Sequence, residues 1–128
     1  MKLLLDTCTF LWALSGEPRL PTRVAALVQD PDNEVFLSAA SGWEIAIKYA
    51  AGKLRLPEDP AIFVPAKRVE HGFAALAVDE ESALHIAKLP PLHGDPFDRL
   101  LVSQAIVHGM TILTPDPIIT RYPARTLW

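Results

Sequence analysis

Four short strand-like runs each give way at once to a polar residue, and the first three of them then to a helical pattern. They are Lys2–Leu5 before Asp6, Glu34–Leu37 before Ser38, Phe73–Val78 before Asp79, and Met110–Leu113 before Thr114-Pro115-Asp116. Apolar strands that alternate with helices cannot leave either face in water. The pattern therefore predicts an α/β fold with three αβα layers, in which right-handed crossovers link a mainly parallel central sheet of four to five strands. Arg125–Leu127 supplies the fifth strand, at an edge. At 128 residues the chain falls in the size range of one compact domain, read here as 1–128.

The helices are bounded by their breakers. Thr7–Leu14 follows Asp6-Thr7 as an N-cap signal, and Pro18 and Pro21 lead into a second helix that ends before Pro31-Asp32-Asn33. Ser38 caps a long helix whose apolar positions Ala39, Trp43, Ala46, Ile47, Ala50 and Leu54 recur at helical spacing. Pro57 to Pro60 opens a helix toward Glu70, which Pro65 is expected to kink or split. Asp79 caps a short helix through Lys88. Pro96 sits at the first turn of an apolar helix running from about Asp98 to His108, and Gly109 closes it.

Composition narrows the classes. Half of the residues are hydrophobic and mean hydropathy is +0.21, rich enough to predict apolar surface for self-association. The longest charge-free stretch, Leu100 to Pro115, is interrupted by polar residues and falls short of the ~20 apolar residues a membrane span needs. Asp6 stops the first apolar run before a secretion signal could form, and the lone Cys8 fits a reducing compartment, so a cytoplasmic protein is expected. A net charge of −3 argues against a protein that coats nucleic acid by charge alone.

In open parallel sheets the functional site lies beyond the carboxyl ends of the strands. Asp6 ends the first strand, Asp116 follows the fourth, Asp98 opens the helix leading into it, and Glu44 lies one turn into the helix after the second. Each has an ordinary alternative as a helix cap, an i,i+4 partner of Lys48 or a turn residue. Crowded together, however, like-charged carboxylates raise one another's pKa unless a cation offsets them. An all-oxygen donor set favours Mg²⁺ or Mn²⁺, which also meets phosphate oxygens, so a phosphodiester is the expected substrate and a metal-activated water the expected nucleophile.

The segments LLLDTCTFLW (Leu3 to Trp12), SAASGWEIAIKYAAGKL (Ser38 to Leu54), HGDPFDRLLVSQA (His93 to Ala105) and ILTPDP (Ile112 to Pro117) resemble PIN domains, specifically the VapC-like toxins of bacterial toxin-antitoxin systems. The resemblance covers essentially the whole chain. It implies a PIN-like fold in which Asp6, Glu44, Asp98 and Asp116 are the catalytic acidic quartet that binds Mg²⁺ or Mn²⁺, with Thr114 lining the site. It further implies an endoribonuclease acting on RNA, a cognate antitoxin that blocks it, and a homodimer. Asp95, three residues before Asp98, competes with it for the metal role or caps the helix.

Thr7, Ser41, Lys48, Arg99 and Thr114 are the expected substrate-binding residues; Lys53, Arg55, Arg121 and Arg125 are further candidates for phosphate contacts. His93 lies nearest the acids, where a proton-donor role competes with an ordinary structural one. Trp12 and Trp43 read as core or interface residues at helical spacing. Three rival functions remain. A haloacid-dehalogenase-type phosphatase would need an Asp where Cys8 stands, and a non-catalytic RNA- or protein-binding module has no need of four acids. A DNase would use the same metal chemistry.

Overall fold

The computed structural model describes residues 1–128. Five strands, β1 (Lys2–Leu5), β2 (Glu34–Ser38), β3 (Ala74–Leu76), β4 (Thr111–Leu113) and β5 (Arg125–Leu127), make one sheet in the order β3-β2-β1-β4-β5. Every neighbouring pair is parallel. Six helices connect them: α1 (Thr7–Ser15), α2 (Thr22–Gln29), α3 (Ala39–Ala50), α4 (Pro60–Glu70), α5 (Glu80–His85) and α6 (Pro96–His108). Single 3-10 turns occupy Ile86–Lys88 and Ile119–Arg121.

Side chains alternate across a strand, so a strand buried on both faces feeds two cores. Leu3 and Leu5 pack with Phe10, Val24, Val35, Leu37 and Leu113 on one face, while Leu4 packs with Leu101, Val102, Ala105, Ile112 and Ile119 on the other. Leu3, Leu4 and Leu5 are fully buried, which makes β1 the spine of both layers. Each such leucine contributes about 1.5–3 kcal/mol by leaving water.

From β1 the chain builds outward to β2 and β3, then returns to the opposite side of β1 as β4. The strand order therefore reverses between β1 and β4, and a crevice opens there at the strands' carboxyl ends.

Three expectations are corrected. Pro65 does not split α4, which runs unbroken through it. Pro65 and Ala61, whose carbonyl loses its helical donor, both lie on the exposed face where water can solvate that group. Helix α6 begins at Pro96 rather than near Asp98, because Asp95 is its N-cap, accepting from the N–H of Phe97 at 2.8 Å. Third, the apolar positions that recur at helical spacing along α3 do not form its buried face. Its buried residues are Ala40, Ser41, Glu44 and Ile45, whereas Ala39, Ala46, Ala50, Trp43 (60% exposed) and Ile47 point outward. Trp43 is thus not core, although its ring meets Phe97 edge-on at 5.0 Å.

Candidate metal centre

The carboxyl end of β1 delivers Asp6 in extended backbone, and its side chain caps α1 by accepting from the N–H of Thr9 at 2.8 Å. The other oxygen accepts from the Thr114 hydroxyl at 2.6 Å, so the residue after β4 holds the acid that ends β1. Thr9 adds a hydroxyl bond to the Leu113 carbonyl at 3.0 Å, closing β1 and β4 around Asp6. Only 4% of Asp6 is exposed.

Glu44 projects from the buried face of α3. Its two oxygens accept separately, one from the Thr7 hydroxyl and one from the Lys48 ammonium, each at 2.6 Å. The carboxylate of Glu44 keeps Lys48 charged by raising its pKa. Asp116, in the turn after β4, accepts from the N–H of Ile118 at 2.8 Å, while its own N–H donates to Thr114 at 3.1 Å. Asp98 sits in the first turn of α6.

These elements converge on one cleft of about 370 Å³, lined by five carboxylates, Asp6, Glu44, Asp95, Asp98 and Asp116, against two ammonium groups, Lys48 and Lys53. The imbalance falls hardest on Asp98. Burial first, then the charges of Asp95 and Glu44, push its carboxyl up to about 7. The cleft also disarms Cys8, whose thiol is pushed up to about 12 by burial and by Asp6, so it is no nucleophile at neutral pH.

His93 completes the cluster. Its Nε2 lies 3.2 Å from Asp98 Oδ2 and 3.1 Å from Asp116 Oδ2, and one ligand atom from each of the three residues falls within 4.8 Å of the others. The sequence carried a faint signal for this, since His93 immediately precedes the loop that caps α6. The remaining histidines lie elsewhere: His108 bonds Asp79 at 2.7 Å, His71 meets the Lys67 carbonyl at 3.0 Å and His85 ends α5.

The expected substrate contacts divide. Lys48 and Thr7 line the cleft, Thr7 with its hydroxyl committed to Glu44. Thr114 is fully buried and its hydroxyl serves Asp6 and Asp116. Two corrections follow. Ser41 is fully enclosed with no hydrogen-bond partner, because the buried face of α3 carries it inward. Arg99 turns away from the cleft to donate to the Ile86 carbonyl at 3.2 Å, fastening α6 to the preceding 3-10 turn.

The residues present fit a hard divalent cation. Oxygen donors outnumber cations, and hydroxyl or backbone donors already orient Asp6, Glu44 and Asp116. Asp6, Glu44, Asp98 and Asp116 would hold it, with Asp95 occupied in part by the cap of α6.

Comparison with known proteins agrees with this architecture. The chain is 48% identical over 60 residues to ribonuclease VapC16 of Mycobacterium tuberculosis, a stretch that is 47% of this chain and 43% of that relative. The match to this curated relative therefore spans less than half of its length. Among solved structures, VapBC2 from Rickettsia felis, bound to a DNA fragment from their promoter, aligns with a TM-score of 0.75 at 17% identity, over 99% of this chain and 98% of that one. DNA-bound VapBC from Salmonella typhimurium aligns with a TM-score of 0.70 at 20% identity, over 99% and 97%. At these identities the structural likeness is one of fold. The PIN domain family model matches residues 3–124, from Leu3 within β1 past the end of β4 and including every acid of the cleft, and the chain belongs to the PIN domain family.

Proposed function

We propose that residues 1–128 act as a single nuclease domain, a Mg²⁺- or Mn²⁺-dependent endoribonuclease that serves as the toxin of a toxin-antitoxin pair. The observation that carries this reading is the convergence of Asp6, Glu44, Asp98 and Asp116 on one cleft at the β1/β4 crevice, where burial and then the neighbouring carboxylates raise the Asp98 carboxyl to about 7. The ribonuclease named among its relatives and the VapBC complexes among its structural neighbours support the choice of RNA and of an antitoxin.

When bound, the cation supplies Lewis acidity, lowering the pKa of a water and offsetting charge on the phosphodiester. The chain's residues supply the rest. Thr114 and Thr7 fix the carboxylates of Asp6 and Glu44, so that little reorganisation accompanies binding. Lys48, half exposed at the cleft, can exchange its bond to Glu44 for a non-bridging phosphate oxygen and so position the strand. Asp98 must be ionised to serve, which ties activity to neutral or higher pH.

The outward stripe of α3, Trp43, Ala46, Ile47 and Ala50, supports self-association as a homodimer. A lone thiol, and the absence of any helix long and apolar enough to cross a membrane, suit action on cytoplasmic RNA.

The test is cleavage of labelled structured RNAs and matching DNA by the wild type and Asp6→Asn, with Mg²⁺, with Mn²⁺ and with chelator. RNA cut only by the wild type and only with metal is the expected result. A folded, antitoxin-free protein that cuts nothing under any metal condition would return the chain to the binding-module reading. Cutting of DNA alone would make it a DNase.

A further inference from the structure

His93, Asp98 and Asp116 present one nitrogen and two carboxylate oxygens within 4.8 Å of one another, the outline of a mixed-ligand metal subsite. The hydrogen bonding around the imidazole argues for something else. The backbone N–H of Asp95 donates to His93 Nδ1 at 3.2 Å. A backbone N–H can only donate, so Nδ1 presents its lone pair, and in the neutral ring the proton then resides on Nε2. That Nε2–H donates to Asp116 Oδ2 at 3.1 Å, and Asp98 Oδ2 lies 3.2 Å from the same nitrogen as a close polar contact without hydrogen-bond geometry.

A ligand nitrogen needs its lone pair free. Freeing it on Nε2 would move the proton to Nδ1 and set two N–H groups against each other. The Asp95 N–H cannot easily turn aside, because Asp95 caps α6 with Oδ1 accepting from the N–H groups of Phe97 and Asp98. The loop is also anchored from the other side, where the His93 N–H donates to the Tyr122 hydroxyl at 2.8 Å.

We propose that His93 is a positioning residue rather than a metal ligand, its Nε2–H forming a bridge, by a hydrogen bond to Asp116 and a close polar contact with Asp98, so that the start of α6 and the turn after β4 present both carboxylates together. The bridge rests on the reading above that these acids hold a divalent cation, and it refines that reading in one respect. The coordinating set stays all-oxygen, which keeps the centre suited to Mg²⁺ or Mn²⁺ rather than to the nitrogen-accepting zinc that a histidine ligand would favour. Asp116 gives one oxygen to this hydrogen bond, and both carboxylates keep lone pairs for a cation.

Three readouts test this. In the metal-free wild type at pH 8, long-range ¹⁵N–¹H NMR of labelled histidine should show His93 as the Nε2–H tautomer. Pulsed EPR of the Mn²⁺-loaded protein, prepared with ¹⁴N- and with ¹⁵N-histidine, should show no directly coordinated histidine nitrogen. Mn²⁺ affinity should fall about 10- to 100-fold in His93→Ala and recover in large part in His93→Gln, whose amide N–H can occupy the place of Nε2–H. Histidine hyperfine coupling or an Nδ1–H tautomer would overturn the bridge while leaving the metal centre standing. So would wild-type affinity in a folded His93→Ala. Failure of the wild type to bind Mn²⁺ at all would overturn both.

Discussion

Asp79 and Asp98 are both aspartates near the start of a helix, and both meet a histidine, yet they stand at opposite electrostatic extremes. Asp79 caps α5, accepting from the Ser82 N–H at 3.1 Å, the Ser82 hydroxyl at 2.7 Å and His108 at 2.7 Å. Those donors, His108 first, hold its carboxyl well below the ordinary 3.8. Asp98 is pushed up to about 7 by burial and by the neighbouring Asp95 and Glu44, and His93 offsets this only in part. An acid supplied with donors is a fastening. An acid packed among acids carries a charge that a bound cation would offset.

The largest effect separating the two is on cleavage. Asp98→Asn should lower the metal-dependent rate on the order of 10³-fold, the equivalent of the several kcal/mol a metal supplies, whereas Asp79→Ala should leave it within about twofold. Comparable losses in both, measured at saturating Mn²⁺ on labelled RNA, would break the contrast.

Thermal stability should move the other way. Without metal, Asp98→Asn relieves like-charge crowding and should raise Tm by several degrees, while Asp79→Ala loses a cap and a histidine partner and should lower it. A melting scan in chelator decides this. If Asp98→Asn melts below the wild type, the cleft acids are fastenings too.

The pH dependence follows from the signs. Between 3.8 and about 7 the folded chain binds more protons at Asp98 than the unfolded one, so this group's contribution to stability falls as pH rises through that window. Metal-free protein should therefore lose Tm from pH 5 to 8, and Asp98→Asn should flatten the loss. Asp79 is the reverse, because its folded value is depressed. Its contribution is present above 3.8 and is lost as pH falls below it. The smallest effect belongs to Lys48→Met. That half-exposed i,i+4 pair with Glu44 should change Tm by no more than about 2 °C. RNA affinity should meanwhile lose about one unit of salt slope.

Much of this was legible in the chain because strand ends and caps are local signals. Asp6, Asp98 and Asp116 could be found at the carboxyl edge from apolar runs alone, and the edge position of β5 from its place at the end of the alternation. What failed was face assignment. On α3 the apolar stripe Trp43, Ala46, Ile47 and Ala50 follows helical spacing as well as any core stripe, but the fold spends the inner face on Ser41, Glu44 and Ile45 to bring a carboxylate to the cleft. Periodicity reports that a face exists, not which one the tertiary structure uses. Arg99 escaped for a similar reason, since only packing reveals that its guanidinium reaches the Ile86 carbonyl. His93 was undervalued because its significance lies in three partners, Asp95, Asp98 and Asp116, that become simultaneous only in space.

Calorimetric titration of Mn²⁺ into the wild type and Asp98→Asn at pH 8 and pH 6 tests most directly whether the crowded carboxylates form a cation site. The expected result is saturable binding to the wild type that weakens on acidification as Asp98 takes up its proton, with binding about 100-fold weaker or absent in the variant. A wild type that takes up no Mn²⁺, or a variant that binds it as tightly as the wild type at both pH values, would rule out a cation site built on these acids.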